Sequence, residues 1–187
     1  MSLREHAIQQ VYAHANTLQG FRDLLELHFE PAVALLVGAL KGGNKILLIG
    51  NGGSAAEAQH MAAELTIRFE TDRQALAAIA LTADSAALTA CGNDYGYQNV
   101  FKRQIEALGR SQDVLVAFST SGTSKNVVEG IHAARRAGMH VLGISGRKGM
   151  TAECDIDLIC PGGNTARIQE LHLLLVHLLV EAIERSL

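Results

Sequence analysis

A short apolar run, a loop of small residues and a longer helical stretch recur along this chain, and that alternation confines its fold more than any other feature. Lys45-Ile46-Leu47-Leu48-Ile49 is the first run, Ala77-Ala78-Ile79-Ala80-Leu81 the second, Val114-Leu115-Val116-Ala117-Phe118 the third and Val141-Leu142-Gly143-Ile144 the fourth. Ile156-Asp157-Leu158-Ile159 is a weaker fifth. Runs that are apolar at consecutive positions suit strands covered on both faces. Strands alternating with helical stretches predict a parallel sheet between two helical layers, an α/β sandwich. Its connections should be right-handed, with ligands beyond the carboxyl ends of the strands.

Residues 4–41 precede the first run and have helical spacing. Phe21, Leu24 and Leu25 share one face, and Val33, Leu36, Val37 and Leu40 another. Pro31 suits a first helical turn, so a break is expected near Glu30 between two N-terminal helices. A final helix is expected over 165–187, apolar nearly all round from Leu171 to Ile183. A helix of that kind is buried on several sides, in a core or against another subunit, and a closed symmetric oligomer is the default. The 187 residues then form one domain, with N-terminal helices at 1–41 and an α/β core at 44–187.

Composition removes several classes of function. Only 4% of residues are aromatic, which argues against a base-stacking nucleic-acid module. The net charge of −3 offers no general attraction for polyphosphates, so phosphate binding must be local. Cys91, Cys154 and Cys160 are odd in number and lack CxxC spacing, which fits small buried thiols in a reducing compartment. The first residues show no apolar signal region, and Leu171–Val180 falls short of the ~18 apolar residues that span a membrane. A cytoplasmic protein is expected.

Two loops carry the chemistry. After the first run comes Gly50-Asn51-Gly52-Gly53-Ser54, where glycines expose N–H groups and Ser54 is placed to cap the next helix. After the third comes Ser119-Thr120-Ser121-Gly122-Thr123-Ser124, five hydroxyls and one glycine at a strand-to-helix turn. Such a turn cradles an anion without any basic residue. Caps and turns alone would explain either loop, but two of them after strands of one sheet favour a site. GxGxxG and Walker A patterns are both missing, which weighs against dinucleotides and nucleoside triphosphates.

Taken with CGNDYG at 91–96 and RIQELHLLLVH at 167–177, these loops resemble the sugar isomerase (SIS) family, most nearly its phosphoheptose-isomerising branch. The resemblance spans essentially the whole chain. It implies a five-stranded sheet and a homotetramer with active sites between subunits. It also implies interconversion of sedoheptulose 7-phosphate and D-glycero-D-manno-heptose 7-phosphate, in the supply of ADP-heptose for lipopolysaccharide core. On the matching positions, phosphate falls to Ser119, Thr120, Ser121 and Ser124. Other substrate contacts fall to Asn51, Gly52, Gly53, Ser54, Asn93, Asp94, Gln169 and Arg68, the last one turn beyond Glu64. Zinc falls to His60, Glu64, Gln169 and His177, and acid–base catalysis to Glu64 and His177. Ala166 stands where some relatives have Asp. A non-enzymatic branch of the same fold binds the replication initiator DnaA and lacks the catalytic Glu and final His. This chain shares some of that branch's texture at Arg68-Phe69-Glu70-Thr71, so an adaptor stands as one alternative, and a sensor that binds a sugar phosphate through the same two loops without turnover as another.

Moving a proton between adjacent carbons through an enediol needs a base, a proton shuttle and stabilisation of the oxyanion. Glu64 suits the base and His177 the shuttle. His60 and Glu64, four apart on a helix, share a face. Along the last helix, Gln169 and His177 are about 80° apart while Glu170 aligns better with His177, so spacing alone favours Glu170. A zinc-bound carboxylate is a weaker base, which leaves the metal's catalytic role open. His172 reads as a core histidine, Asn93-Asp94 could be only a turn, and Arg135-Arg136 and Arg147-Lys148 read as solvated charge.

Overall fold

A computed structural model describes residues 1–187. Five parallel strands, β1 (Ile46–Ile49), β2 (Ala78–Ala80), β3 (Val114–Ser119), β4 (His140–Ser145) and β5 (Ile156–Ile159), lie in the order β2-β1-β3-β4-β5. Each coincides with one of the five apolar runs. The register pairs Ile46 with Ala78 on one side of β1 and with Val114 on the other. Because side chains alternate across a strand, the consecutive apolar residues divide between two cores. Ile46, Leu48, Val114, Val116 and Phe118 face one, while Leu47, Ile49, Leu115 and Ala117 face the other.

The first core lies under α1 (Leu3–Lys41), α2 (Gly53–Thr66) and α6 (Thr165–Ser186). The second lies under α4 (Val100–Leu108) and α5 (Lys125–Arg136), with α3 (Ser85–Tyr95) contributing Cys91. Chain leaving β1 therefore turns to one face and chain leaving β3 to the other. The crevice between their carboxyl ends is the position where open parallel sheets bind ligands.

Three expectations need correction. Residues 4–41 form one helix, not two, with Pro31 inside it. The proline removes one backbone bond, that to Leu27, but Leu27 is 70% exposed and its carbonyl can be solvated. Leu24 on one side of Pro31 and Ala32 and Leu36 on the other enter the same core, and that packing outweighs the break. Ser54 does not cap α2, whose N-cap is Gly52 with no side-chain bond; Ser54 lies inside the first turn and is buried. Asn93 and Asp94 form no turn but sit in the last turn of α3, which stops at Gly96. Of the cysteines, Cys91 and Cys160 are buried and Cys154 is half-buried, all as free thiols.

From Leu3 to Gly20, α1 contributes no buried residue. Its free end is fastened by reciprocal bonds, Glu5 N–H to Ser2 Oγ at 3.2 Å and Ser2 N–H to Glu5 Oε2 at 2.7 Å. No helix of the chain is long and apolar enough to cross a membrane.

Candidate active site

The loop after β1 is held by an amide pair. Asn51 Nδ2 donates to Asn126 Oδ1 at 2.8 Å, and Asn126 Nδ2 donates to Asn51 Oδ1 at 2.7 Å. Asn126 is buried in the first turn of α5, so the pair ties the two strand-end loops together. Tyr97, in a 3-10 turn just after α3, donates its hydroxyl to Asn51 Oδ1 at 3.1 Å. Neither Asn126 nor Tyr97 stood out in the sequence. Asn93 and Asp94 are exposed and hydrogen-bonded to one another, beside the turn that carries Tyr97.

The loop after β3 is an organised nest. Ser119 Oγ accepts the N–H of Gly122 at 3.1 Å, and Ser121 Oγ accepts that of Thr123 at 3.2 Å. Ser124 Oγ lies 3.3 Å from Ser119 Oγ. The N–H groups of Ser121, Ser124, Lys125 and Asn126 donate to no acceptor in the chain. They gather at the positive end of α5, an arrangement that takes an oxyanion.

A cavity of about 270 Å³ opens beside this nest, lined by Thr120, Ser121, Thr123, Arg147, Lys148, Gly162 and Ile168. Arg147 and Lys148 are exposed and without an ion-pair partner, as expected of solvated charge, and they also flank the cradle. Their segment is laced to the nest, because Thr151 donates both N–H and Oγ1–H to Gly122 O at 3.0 Å. A signal for them was present, since they follow β4 at its carboxyl end, where this architecture puts ligand-binding groups.

The acid–base candidates lie between α2 and α6. His60 Nε2 and His177 Nε2 are 2.9 Å apart, and Glu64 Oε1 is 3.6 Å from His60 Nε2. At 2.9 Å one imidazole donates a proton to the other, whereas the Glu64 contact is an electrostatic one. The Phe69 ring stacks on His177 with centroids 5.6 Å apart and 22° between planes. Arg68 is not on the helix with Glu64. α2 ends at Thr66, and Arg68 lies in the following loop, exposed and without a hydrogen bond or ion pair.

Gln169, in the first turns of α6, faces the loop after β1 so closely that a Cβ on Gly53 would fall 2.4 Å from its Nε2. Glu170 turns the other way, to His14 Nδ1 at 2.7 Å and to Arg167. Gln169 thus lies beside the loop after β1, and Glu170 does not. Gln169 stands about 12 Å along the axis from His177, apart from the His60–His177 contact. His172 is wholly buried, as expected, with Nε2 3.1 Å from Ser145 O and Nδ1 3.4 Å from Glu57 Oε2.

No set of three or more His, Cys, Asp or Glu side chains is spaced for a metal ion in the single chain. The donor chemistry at His60, His177 and Glu64 nevertheless suits one. Two imidazole nitrogens point at each other with a carboxylate oxygen near, and zinc bonds of 2.0–2.1 Å would require them to separate to only about 3.4 Å.

The SIS domain family model matches residues 11–146. The phosphoheptose isomerase of Aliarcobacter butzleri is 47% identical over 187 residues, covering 99% of each chain. Phosphoheptose isomerase 1 of Campylobacter jejuni is 54% identical over 154 residues, 81% of this chain and 83% of its own. The solved structure of phosphoheptose isomerase GmhA from Neisseria gonorrhoeae is 43% identical, covers 98% of this chain and 100% of its own, and superposes with a TM-score of 0.91.

Proposed function

The chain belongs to the SIS-domain family and, within it, to the phosphoheptose isomerases, and from that membership we propose how its two loops and its α2–α6 cluster share the reaction. The substrate is sedoheptulose 7-phosphate, interconverted with D-glycero-D-manno-heptose 7-phosphate. Full-length similarity to isomerases favours catalysis over the adaptor and sensor alternatives. The single observation that carries the assignment of roles is the convergence of Glu64, His60 and His177 from two helices.

The phosphate rests on the four free N–H groups and the hydroxyls of Ser119, Thr120, Ser121 and Ser124, with Arg147 and Lys148 adding positive potential. Charge-assisted bonds of this kind are about twice as strong as neutral ones. Asn51, Gly52, Gly53, Ser54, Asn93, Asp94 and Gln169 bind the sugar hydroxyls. Glu64 removes the carbon-bound proton, and the C–H electron pair becomes the double bond of the enediol. His177 delivers and collects the oxygen-bound proton, and its short contact with His60 supplies a partner for either protonation state. Arg68, unpaired in the chain, is free to meet the developing negative charge.

Zinc would be held by His60, Glu64 and His177, with Gln169 as the outlying member of the set. Bound there, it would polarise substrate oxygens as a Lewis acid. The unburied stretch Leu3–Gly20, with Leu3, Ile8, Val11 and Tyr12 exposed, supports a homotetramer. Cytoplasmic residence fits a substrate made by sugar-phosphate metabolism.

Purified protein should convert sedoheptulose 7-phosphate to the aldose, followed by direct detection of product. Glu64→Gln should abolish conversion while circular dichroism and oligomer mass stay as in the wild type. No turnover by folded wild-type protein, with and without added zinc, would overturn the reading.

A further inference from the structure

We propose that Arg73 and Glu184 are positioning residues that hold Glu64 and His177 in working relation. This rests on the isomerase reading above, and it gives a task to two buried charges that the chemistry does not otherwise use. Their side chains are 12% and 4% exposed. Arg73 Nη2 donates to the main-chain oxygen of Glu64 at 2.7 Å, and Nη1 donates to that of Leu65 at 2.9 Å. The guanidinium therefore caps the negative end of α2 at the very residue that carries the base. Arg73 Nε in turn donates to Glu184 Oε1 at 2.9 Å.

Glu184 lies on α6 two turns beyond His177, on the same face. Oε1 also accepts the N–H of Phe69 at 2.9 Å. Oε2 accepts the N–H of Glu70 at 3.2 Å and both the N–H and the hydroxyl of Thr71 at 3.1 Å. One carboxylate thus fixes the loop 69–71, and with it the Phe69 ring stacked on His177. A single ion pair joins the backbone of the base, the wall of the shuttle and the helix beneath them.

Every group facing Glu184 is a donor. Glutamine has one acceptor oxygen, and its NH2 would confront one of the two donor sets. Glu184→Gln should release the loop and lower kcat about 10- to 100-fold, the scale of a misplacement near 1 Å. KM should change far less, because the phosphate nest is untouched. Glu184→Asp should restore part of kcat. Asp113→Asn serves as a control: it breaks the Lys45–Asp113 ion pair at the amino ends of the strands and should lower stability with kcat unchanged.

A second readout does not depend on turnover. The stacked Phe69 ring should shift the His177 ring protons upfield in proton NMR; Glu184→Gln should lose that shift and Asp113→Asn should keep it. Phe69→Leu, which leaves the ion pair in place, should lose both the shift and kcat, and it decides the matter if Glu184→Gln does not fold. The proposal is overturned if folded Glu184→Gln retains wild-type kcat and the His177 shift, or if Phe69→Leu retains kcat. An inactive wild-type protein would instead overturn the isomerase reading, and the NMR comparison would still judge the positioning.

Discussion

Substituting Gly122 tests whether the phosphate nest and the loop after β4 form one structural unit. Gly122 has φ +70°, and an added Cβ would stand 1.8 Å from Gly149 O and 2.7 Å from Gly149 C. Left-handed backbone costs an ordinary residue about 1–2 kcal/mol. The clash is with main chain, which no side-chain rotation relieves, so the segment carrying Arg147 and Lys148 must retreat by about 1 Å. That retreat stretches the two bonds from Thr151 to Gly122 O, each worth about 0.5–1.5 kcal/mol. Gly122→Ala should therefore cost about 3 kcal/mol, a Tm fall of about 6–12 °C for a chain of this size. KM for the sugar phosphate should rise as the cradle opens. Two companions separate the causes. Gly43→Ala, with φ +76° and nothing within 4 Å, carries only the backbone cost. Gly163→Ala, in open space at ordinary φ, should shift stability by less than about 1 kcal/mol. Calorimetry and steady-state kinetics on all three give the answer. If Gly122→Ala melts with Gly163→Ala and keeps wild-type KM, the two loops are not coupled and the reasoning fails.

Two further outcomes concern ionisable groups. Burial acts to raise the Glu184 carboxyl, but the N–H groups of Phe69, Thr71 and Glu70 and the Thr71 hydroxyl outweigh it and hold it at about 2. A depressed carboxylate adds stability that is complete above its unfolded value near 4.5 and is lost as pH falls toward 2. Urea melts between pH 6 and pH 3 should therefore show a smaller acid loss in Glu184→Gln than in the wild type; equal slopes would refute this. Burial, then the nearby Asp157, pushes the thiols of Cys154 and Cys160 up to about 12. Both should resist a thiolate-directed reagent at pH 8 in the native protein and react on unfolding, and rapid native labelling of Cys160 would contradict the packing.

The strands were legible because a doubly covered strand needs a run of apolar residues, and each of the five runs became one. The Pro31 break was not, because the local preference of proline yields when Leu24 and Leu36 fall on one core face. Loop context pointed to Ser119 and Ser121, and the family resemblance pointed to Glu64 and His177. What escaped were partners remote in sequence. Asn51 and Asn126 are 75 positions apart, and Arg73 and Glu184 are 111 apart. Nothing in the local pattern of either residue marks the other, since only the folded chain brings them together. The directions of Gln169 and Glu170 likewise follow from neighbours remote in sequence, Gly53 for one and His14 for the other.

In the proposed homotetramer, the outer half of α1 makes chain concentration a variable of the fold. Residues 3–20 run for about 27 Å, yet contribute no buried residue and are tied to α6 only by the bonds of Gln10 with Arg167 and of His14 with Glu170. A helix of that length with so little tertiary support is marginal in water, and the Ser2–Glu5 cap secures only its tip. If the arm packs between protomers of that tetramer, its order depends on mass action. Dilution that separates protomers would unwind the arm before it disturbs the sheet, so association and helix content would titrate along one curve.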